Sequence, residues 1–325
     1  MKLFIPISYF FGEPKSELWQ LDTETKHKRL LATLPSSGRD VVGKGITSIA
    51  WINDQQLVGC DFNRVFIFDL ALCELTQIRQ DEQYNDLHHI SVEGQGVYLA
   101  NTGRDCIDIL DHQFHPVSRL DFLSDAEVAV RVKGQYSTKG DYYDNETSAI
   151  EFHLRKVPDT WHINHVIKAG ERLDNRIIAT SFKKKHLLDA RTMQPLSNDL
   201  PTQPHDGYVD QSYIWITTVS GQIYRSSLSL PLQFELFFDL FQTTKSEGWC
   251  RGLLVTDDSI YVGITAIHKE CSRTNWLKRP IEDTRTGVYR IDLASLAIAD
   301  FYDFSHSNGS RIFSIIGDHN DETTA

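Results

Sequence analysis

The sequence predicts an all-β fold, a six-bladed β-propeller of four-stranded blades, on three observations. A phrase recurs in which an alternating strand ends in a corner residue, usually Asp, and a second strand follows. Two further strands precede most copies of that phrase. Helical periodicity is scarce: no apolar i, i+3, i+4 stripe longer than about ten residues runs free of strand signals. The strand–helix alternation of a Rossmann or TIM-barrel chain is therefore missing. Four strands recurring at roughly 45 residues per unit is the propeller pattern.

In chain order, the first phrase is LWQLD-TETKHKRL with its corner at Asp22, preceded by KLFIPIS. Its innermost strand is lacking there and is supplied by RIFSII at residues 311–316, so pairing of these two segments closes the ring. Blade one reads GITSIAWI, QLVGCDF, VFIFD and LALCEL, with its corner at Asp69. Blade two reads HHISVE, GVYLANT, IDILD and HQFHPV, turning at Asp111. Blade three reads NHVIKA, RIIATSF, HLLD and ARTMQPL, turning at Asp189. Blade four, HDGYVD, YIWITTV, IYRSS and LSLPLQ, has Ser226 in place of the Asp. Blade five, RGLLV, SIYVGIT, VYRID and LASLAI, turns at Asp292. Asp suits these corners because its carboxylate accepts hydrogen bonds from nearby backbone N–H groups. Residues 1–325 are thus expected to form one propeller domain.

Composition agrees and narrows the function classes. The 325 residues carry 33 Lys plus Arg against 44 Asp plus Glu, a formal charge of −11. That argues against a general nucleic-acid or anionic-membrane binder, which needs a basic face. With 41% hydrophobic residues and 17 Phe, 12 Tyr and 6 Trp, the chain can bury a core and is not a disordered polypeptide. No run approaches 18 apolar residues, and the apolar N-terminus is broken by Pro6 without a small-residue cleavage site. Five cysteines, odd in number and without C-x-x-C, suit free thiols in a reducing compartment, so a cytoplasmic location is expected.

Propeller topology places the starts of all inner strands on one face, together with the loops joining strands two and three and those leading to the next blade. The two long irregular stretches, 123–160 and 265–285, fall in such loops and are expected as top-face insertions around the channel mouth. They either form a lid or only cap the blade ends.

Aligning the inner-strand starts gives two positions per blade. The first reads Thr47, His88, Asn164, His205, Cys250, Ser310, and the second Ser48, His89, His165, Asp206, Arg251, Arg311. With His162 just before blade three, five of the 13 histidines belong to this ring. Imidazoles from separate blades suit a divalent transition metal, Zn, Fe or Mn, with an open position for water or substrate. His89, His165 and His205 are the expected ligands. His88 and His162 are substitutes or general bases. Arg251 and Arg311 suit an anion, because the guanidinium fork matches carboxylate and phosphate, and Asn164 and Asp206 complete a substrate-binding set. Against this stands ordinary packing, in which a histidine bonds backbone between blades and the arginines pair with Asp206. Cys250 beside Arg251 is either a reactive thiolate or an inert buried thiol. The P-loop-like Gly38–Gly45 is rejected, since Gly45 replaces the Ser/Thr and a strand follows.

Tyr98-Leu99-Ala100-Asn101-Thr102-Gly103-Arg104-Asp105-Cys106-Ile107 resembles the core of an NHL repeat, whose usual wording is close to YVADTGNNRI, with fainter matches around Val65 and Val288. The chain is thereby similar to NHL-type and strictosidine-synthase-like six-bladed propellers, which implies the fold and not the function. Where strictosidine-synthase-like and gluconolactonase-like members hold an ion with Glu, Asn and Asp oxygens, this ring offers imidazoles. In that respect it is more similar to the peptidylglycine amide-forming lyase, whose channel metal is His-bound. No longer motif connects the two, so the lyase's substrate is not carried over. The expected function is a metal-assisted lyase, hydrolase or isomerase acting on a small anionic substrate. The alternative is a non-catalytic propeller that binds a basic peptide or protein through Tyr9, Phe10, Phe11, Tyr136, Tyr142, Tyr143 and Trp276.

Overall fold

A computed structural model of the chain describes residues 1–11, 15–35, 45–81, 84–122, 160–267 and 277–319. Six antiparallel blades form a propeller. Blade one comprises β4 (Ser48–Asn53), β5 (Gln56–Cys60), β6 (Arg64–Asp69) and β7 (Glu74–Gln80). Blade two comprises β8 (Leu87–Glu93), β9 (Gly96–Asn101), β10 (Cys106–Leu110) and β11 (Pro116–Asp121). Blade three has β12 (Ile163–Lys168), β13 (Ile177–Ser181) and β14 (His186–Asp189). Its fourth strand is reduced to a bridge between Leu188 and Pro195. Pro195 has no N–H to donate, which cuts the ladder the sequence suggests there. Blade four holds β15 (Pro204–Val209), β16 (Tyr213–Thr218), β17 (Gln222–Ser227) and β18 (Glu235–Asp239). Blade five holds β19 (Trp249–Val255), β20 (Ser259–Thr265), β21 (Gly287–Asp292) and β22 (Ala297–Asp303).

Blade six is shared between the two ends of the chain. β1 (Lys2–Tyr9), β2 (Lys15–Asp22) and β3 (Lys28–Pro35) are completed by the inner strand β23 (Ser310–Ile312), with Ile7 opposite Ile312 and Tyr9 opposite Ser310. The chain leaves the ladder after Ile312 and rejoins it where Ile316 pairs with Phe4, so the inner strand is shorter than 311–316.

The core lies between blades. Val58 and Val65 of blade one pack on Leu87, Ile90 and Leu99 of blade two. Leu3, Ile5 and Ile7 of β1 pack on Leu254, Tyr261 and Val288 of blade five. Each such side chain stabilises the ring by about 1.5–3 kcal/mol, so neighbouring blades hold one another rather than folding alone.

Each Asp corner works as its side-chain chemistry requires. Asp22 Oδ1 accepts from the N–H groups of Glu24 and Thr25, Asp69 Oδ1 from Ala71 and Leu72, and Asp111 Oδ1 from Gln113 and His115. At the variant corner, Ser226 Oγ accepts from Gln233 N–H at 2.9 Å.

Candidate functional site

The inner strands are bulged where the ring residues sit. Register shifts fall between Leu87 and His89, Ile163 and His165, Pro204 and Gly207, and Arg251 and Leu253. A bulge sets two successive residues against one partner and re-aims their side chains. Here it turns neighbouring residues from blades two to four into two layers rather than one ring.

The upper layer contains His88, Asn164, His205 and His162. His88 Nδ1 lies 2.7 Å from Asn164 Oδ1, and His88 Nε2 lies 3.2 Å from Asp86 Oδ1. Both His88 nitrogens are thus committed to protein oxygens. The His88 and His205 rings stack at 6.3 Å, and the His162 ring meets His88 edge-on at 5.1 Å. His162 adopts φ 51°, in the left-handed region, and its N–H donates to Asp105 Oδ1 at 2.8 Å. Asp105 Oδ2 takes the N–H of Thr160 as well, so one buried carboxylate anchors the segment that carries His162.

The lower layer contains His89, His165 and Asp206. The His89 and His165 rings lie 3.5 Å apart. His89 Nδ1 accepts from Val166 N–H, and His165 Nδ1 is 3.8 Å from Asp206 Oδ1. Asp206 links the layers: its Oδ2 accepts from His205 Nδ1 and from Gly252 N–H, both at 2.8 Å. Gly252, at φ 77°, supplies that N–H from the bulge of β19.

Burial dominates the electrostatics. Burial, reinforced by the Arg251 charge, pushes His205 down to about 4, and burial pushes His165 to about 4 against the pull of Asp206. Burial and then His165 hold His89 well below its ordinary range. Burial would raise the Asp206 carboxyl, but His205, His165 and the Gly252 N–H outweigh it and hold it well below the usual range. At neutral pH Asp206 is an anion and these three imidazoles are neutral. The single His205 proton then lies on Nδ1, facing Asp206, and Nε2 carries a lone pair. That Nε2 is buried without a hydrogen-bond partner, as are His165 Nδ1 and Asn164 Nδ2.

Arg251 and Arg311 lie beside the upper layer in an aromatic cradle. The Arg251 guanidinium is 3.6 Å from the Trp249 ring and 4.5 Å from Phe313, and that of Arg311 is 3.9 Å from Phe10 and 5.1 Å from Phe313. Both arginines are buried. Among the described residues Asp206 pairs with His165 and His205 rather than with either arginine. The cradle escaped the sequence reading, although its signal is present: Trp249 and Arg251 are two residues apart in β19 and share a strand face, and Arg311 and Phe313 have the same spacing. Cys250 packs among apolar side chains, and burial raises its thiol well above the ordinary range, which favours the inert alternative. Asn101 serves its turn, accepting from Asn85 N–H and donating to Asp108.

Several expected features fall on other residues. Residues 123–159 of the first insertion and 268–276 of the second lie outside the described residues, as do Tyr136, Tyr142, Tyr143 and Trp276. The flanks of the second insertion, Ile267 and Leu277, pack with Trp249 beside the upper layer. Among the described residues no three His, Cys, Asp or Glu side chains are grouped to hold a metal ion. No helix among them is long and apolar enough to cross a membrane.

Comparison with known proteins bears on the fold alone. No family model and no curated protein sequence matches the chain. Among solved structures, it is similar to a chain of a nidogen/laminin complex, with a TM-score of 0.60 and 12% identity over 96% of this chain and 97% of that one. A protein of unknown function from Bacteroides caccae gives 0.60 at 9% identity over 97% of each chain. A 6-phosphogluconolactonase-like protein from Bacteroides uniformis, described as putative, gives 0.54 at 12% identity over 95% and 85%. The class these define together with the blades is the six-bladed β-propeller, and the NHL-type and strictosidine-synthase-like resemblance stands at that level.

Proposed function

We propose that the upper layer is a small-molecule site in which His205 acts as a general base toward a small anionic substrate, in a hydrolase, lyase or isomerase reaction. The observation that carries this reading is His205 itself: Nδ1 donates to Asp206 while Nε2 is buried and unbonded. A carboxylate that fixes the tautomer and orientation of an imidazole prepares the far nitrogen to take a proton. Burial lowers its basicity, so it is available at neutral pH and its proton is readily passed on. The aromatic cradle supports an anion-binding role for Arg251 and Arg311, with Asn164 Nδ2 as a further donor. His88, held at both nitrogens, then orients Asn164, and His162 flanks the site.

The metal-assisted form of this reading, with Zn, Fe or Mn on His89, His165 and His205, draws its ligands from both layers. His205 Nδ1 is committed to Asp206, and His89 Nδ1 to Val166. Elemental analysis of the purified protein separates the two forms: stoichiometric metal lost in His89→Ala establishes the metal form, and metal-free turnover establishes the base form.

The test of the site is thermal-shift screening of small carboxylates and phosphates, followed by turnover assays on those that bind. An anion that raises Tm in the wild type and not in Arg251→Ala, with turnover but not binding lost in His205→Ala, is the expected result. No stabilising anion, or unchanged turnover in His205→Ala, overturns it. A second reading, a protein partner on the same face, rests on Phe11, which is 50% exposed next to the Phe10 of the cradle. The nidogen/laminin likeness makes this reading worth a pull-down against Phe11→Ser.

A further inference from the structure

Beneath Asp206 the channel widens into a chamber of about 660 Å³. Its deep end is formed by His89, His165 and Asp206, its walls by apolar residues of the inner strands with Trp51 and Tyr208, and Glu93, Lys168 and His319 also line it. It reaches the Glu93–Gly94 turn and Gly170, on the face opposite the inner-strand starts. The chamber is lined by the lower layer, and Asp206, bonded to His205, is its link to the upper one.

The deep end holds a buried carboxylate with no lysine or arginine within ion-pair distance among the described residues. The Asp206 side chain is 9% exposed, and its ion-pair neighbours among the described residues are two imidazoles, His165 and His205, with no lysine or arginine paired to it. Oδ2 takes both of the carboxylate's hydrogen bonds, whereas Oδ1 accepts none among the described residues and His165 Nδ1 lies 3.8 Å from it, too far to bond. His165 Nδ1 is itself buried and unbonded. A buried carboxylate oxygen that accepts no hydrogen bond favours an entering cationic donor.

We propose that this chamber receives a guanidinium group, carried by a free guanidino compound or by an arginine side chain. The two unbonded acceptors, Oδ1 and Nδ1, are 3.8 Å apart, a span that two N–H groups of one planar fork can meet when the His165 proton is on Nε2. Flat rings line the approach: the paired imidazoles, Trp51 and Tyr208. A guanidinium stacks on such faces and is more weakly hydrated than an ammonium, so it loses less on entering a site this buried. Ile90, Val166, Leu253 and Ile315 offer an apolar lining for an alkyl stem. The volume falls within the range of small-molecule sites.

The experiment is calorimetric titration of the full chain with n-butylguanidinium, n-butylammonium and the neutral n-butylurea. Acetyl-Gly-Arg-Gly-amide is titrated as the side-chain source. The expected result is one saturable site for n-butylguanidinium, binding at least tenfold tighter than n-butylammonium, with no measurable n-butylurea binding. Asp206→Asn should weaken it at least tenfold, and His165→Phe, which keeps the ring, about tenfold. Tripeptide binding as tight as that of n-butylguanidinium identifies the arginine side chain as the source. Binding of the small compound alone identifies a free guanidino compound. No saturable guanidinium site, equal affinity for the ammonium or the urea, or affinity unchanged in His165→Phe overturns the proposal, and these comparisons decide it even if Asp206→Asn does not fold.

Discussion

Single side chains here are read largely through burial. Of the described cysteines, Cys60, Cys106 and Cys250 are buried and Cys73 is exposed. Burial pushes the Cys60 thiol up to about 12 and raises the other two buried thiols well above the ordinary range. Brief iodoacetamide treatment of the native protein should therefore modify Cys73 and leave these three unmodified, as peptide mass spectrometry would read directly. Early modification of Cys250 would restore the thiolate reading. Gly103, inside the NHL-like motif, has a different constraint. A Cβ there would lie 2.3 Å from the backbone oxygen of Asn85. Gly103→Ala should cost about 1–3 kcal/mol in urea unfolding, as overpacking against rigid backbone does. What the sequence made legible at this scale was residue type: imidazole, carboxylate and guanidinium gathered at the inner-strand starts. Which nitrogen faces which oxygen was not legible, because that depends on the bulges.

Strands were more legible than the layers they present. Alternating apolar residues and Asp corners carry their own physics, period-two burial and N–H capture, within a few residues of sequence. A bulge is one extra residue in a strand whose pattern looks regular, and only the register with the neighbouring strand reveals it. The strand alignment set His88, Asn164 and His205 at one position and His89, His165 and Asp206 at the next, but it joined His205 to His89 and His165 as ligands of one ion, whereas His205 stands in the other layer. The lost fourth strand of blade three was readable in principle from Pro195. Ring closure offers the test at this scale. β1 pairs with β2 on one side and β23 on the other. Deleting residues 1–8 should abolish the cooperative thermal transition, because Leu3, Ile5 and Ile7 leave blade five facing water. A sharp transition within a few degrees of wild type would show that the ring does not depend on its closing strand.

For the whole molecule, the clustered neutral imidazoles set the acid limit. His165 and His205 fall from 6.5 to about 4 on folding, so between those pH values the unfolded chain binds more protons and stability rises with pH. At 1.36 kcal/mol per pH unit, full acidification through that window costs roughly 3 kcal/mol for each ring. Asp206, lowered from 3.8, keeps its contribution across the window and loses it only below. Urea midpoints should drop steadily from pH 7 to pH 4, and the drop should shrink in His165→Phe. A flat profile would mean that the rings are solvated. The shared blade also has a consequence during synthesis. At roughly 5–20 residues per second a ribosome needs about 15–60 s to reach the last strand. Throughout that interval β1 has an open hydrogen-bonding edge, a template for pairing with another nascent chain. Chaperone demand should accordingly track translation speed, and slowing elongation should lower soluble yield unless that edge is shielded.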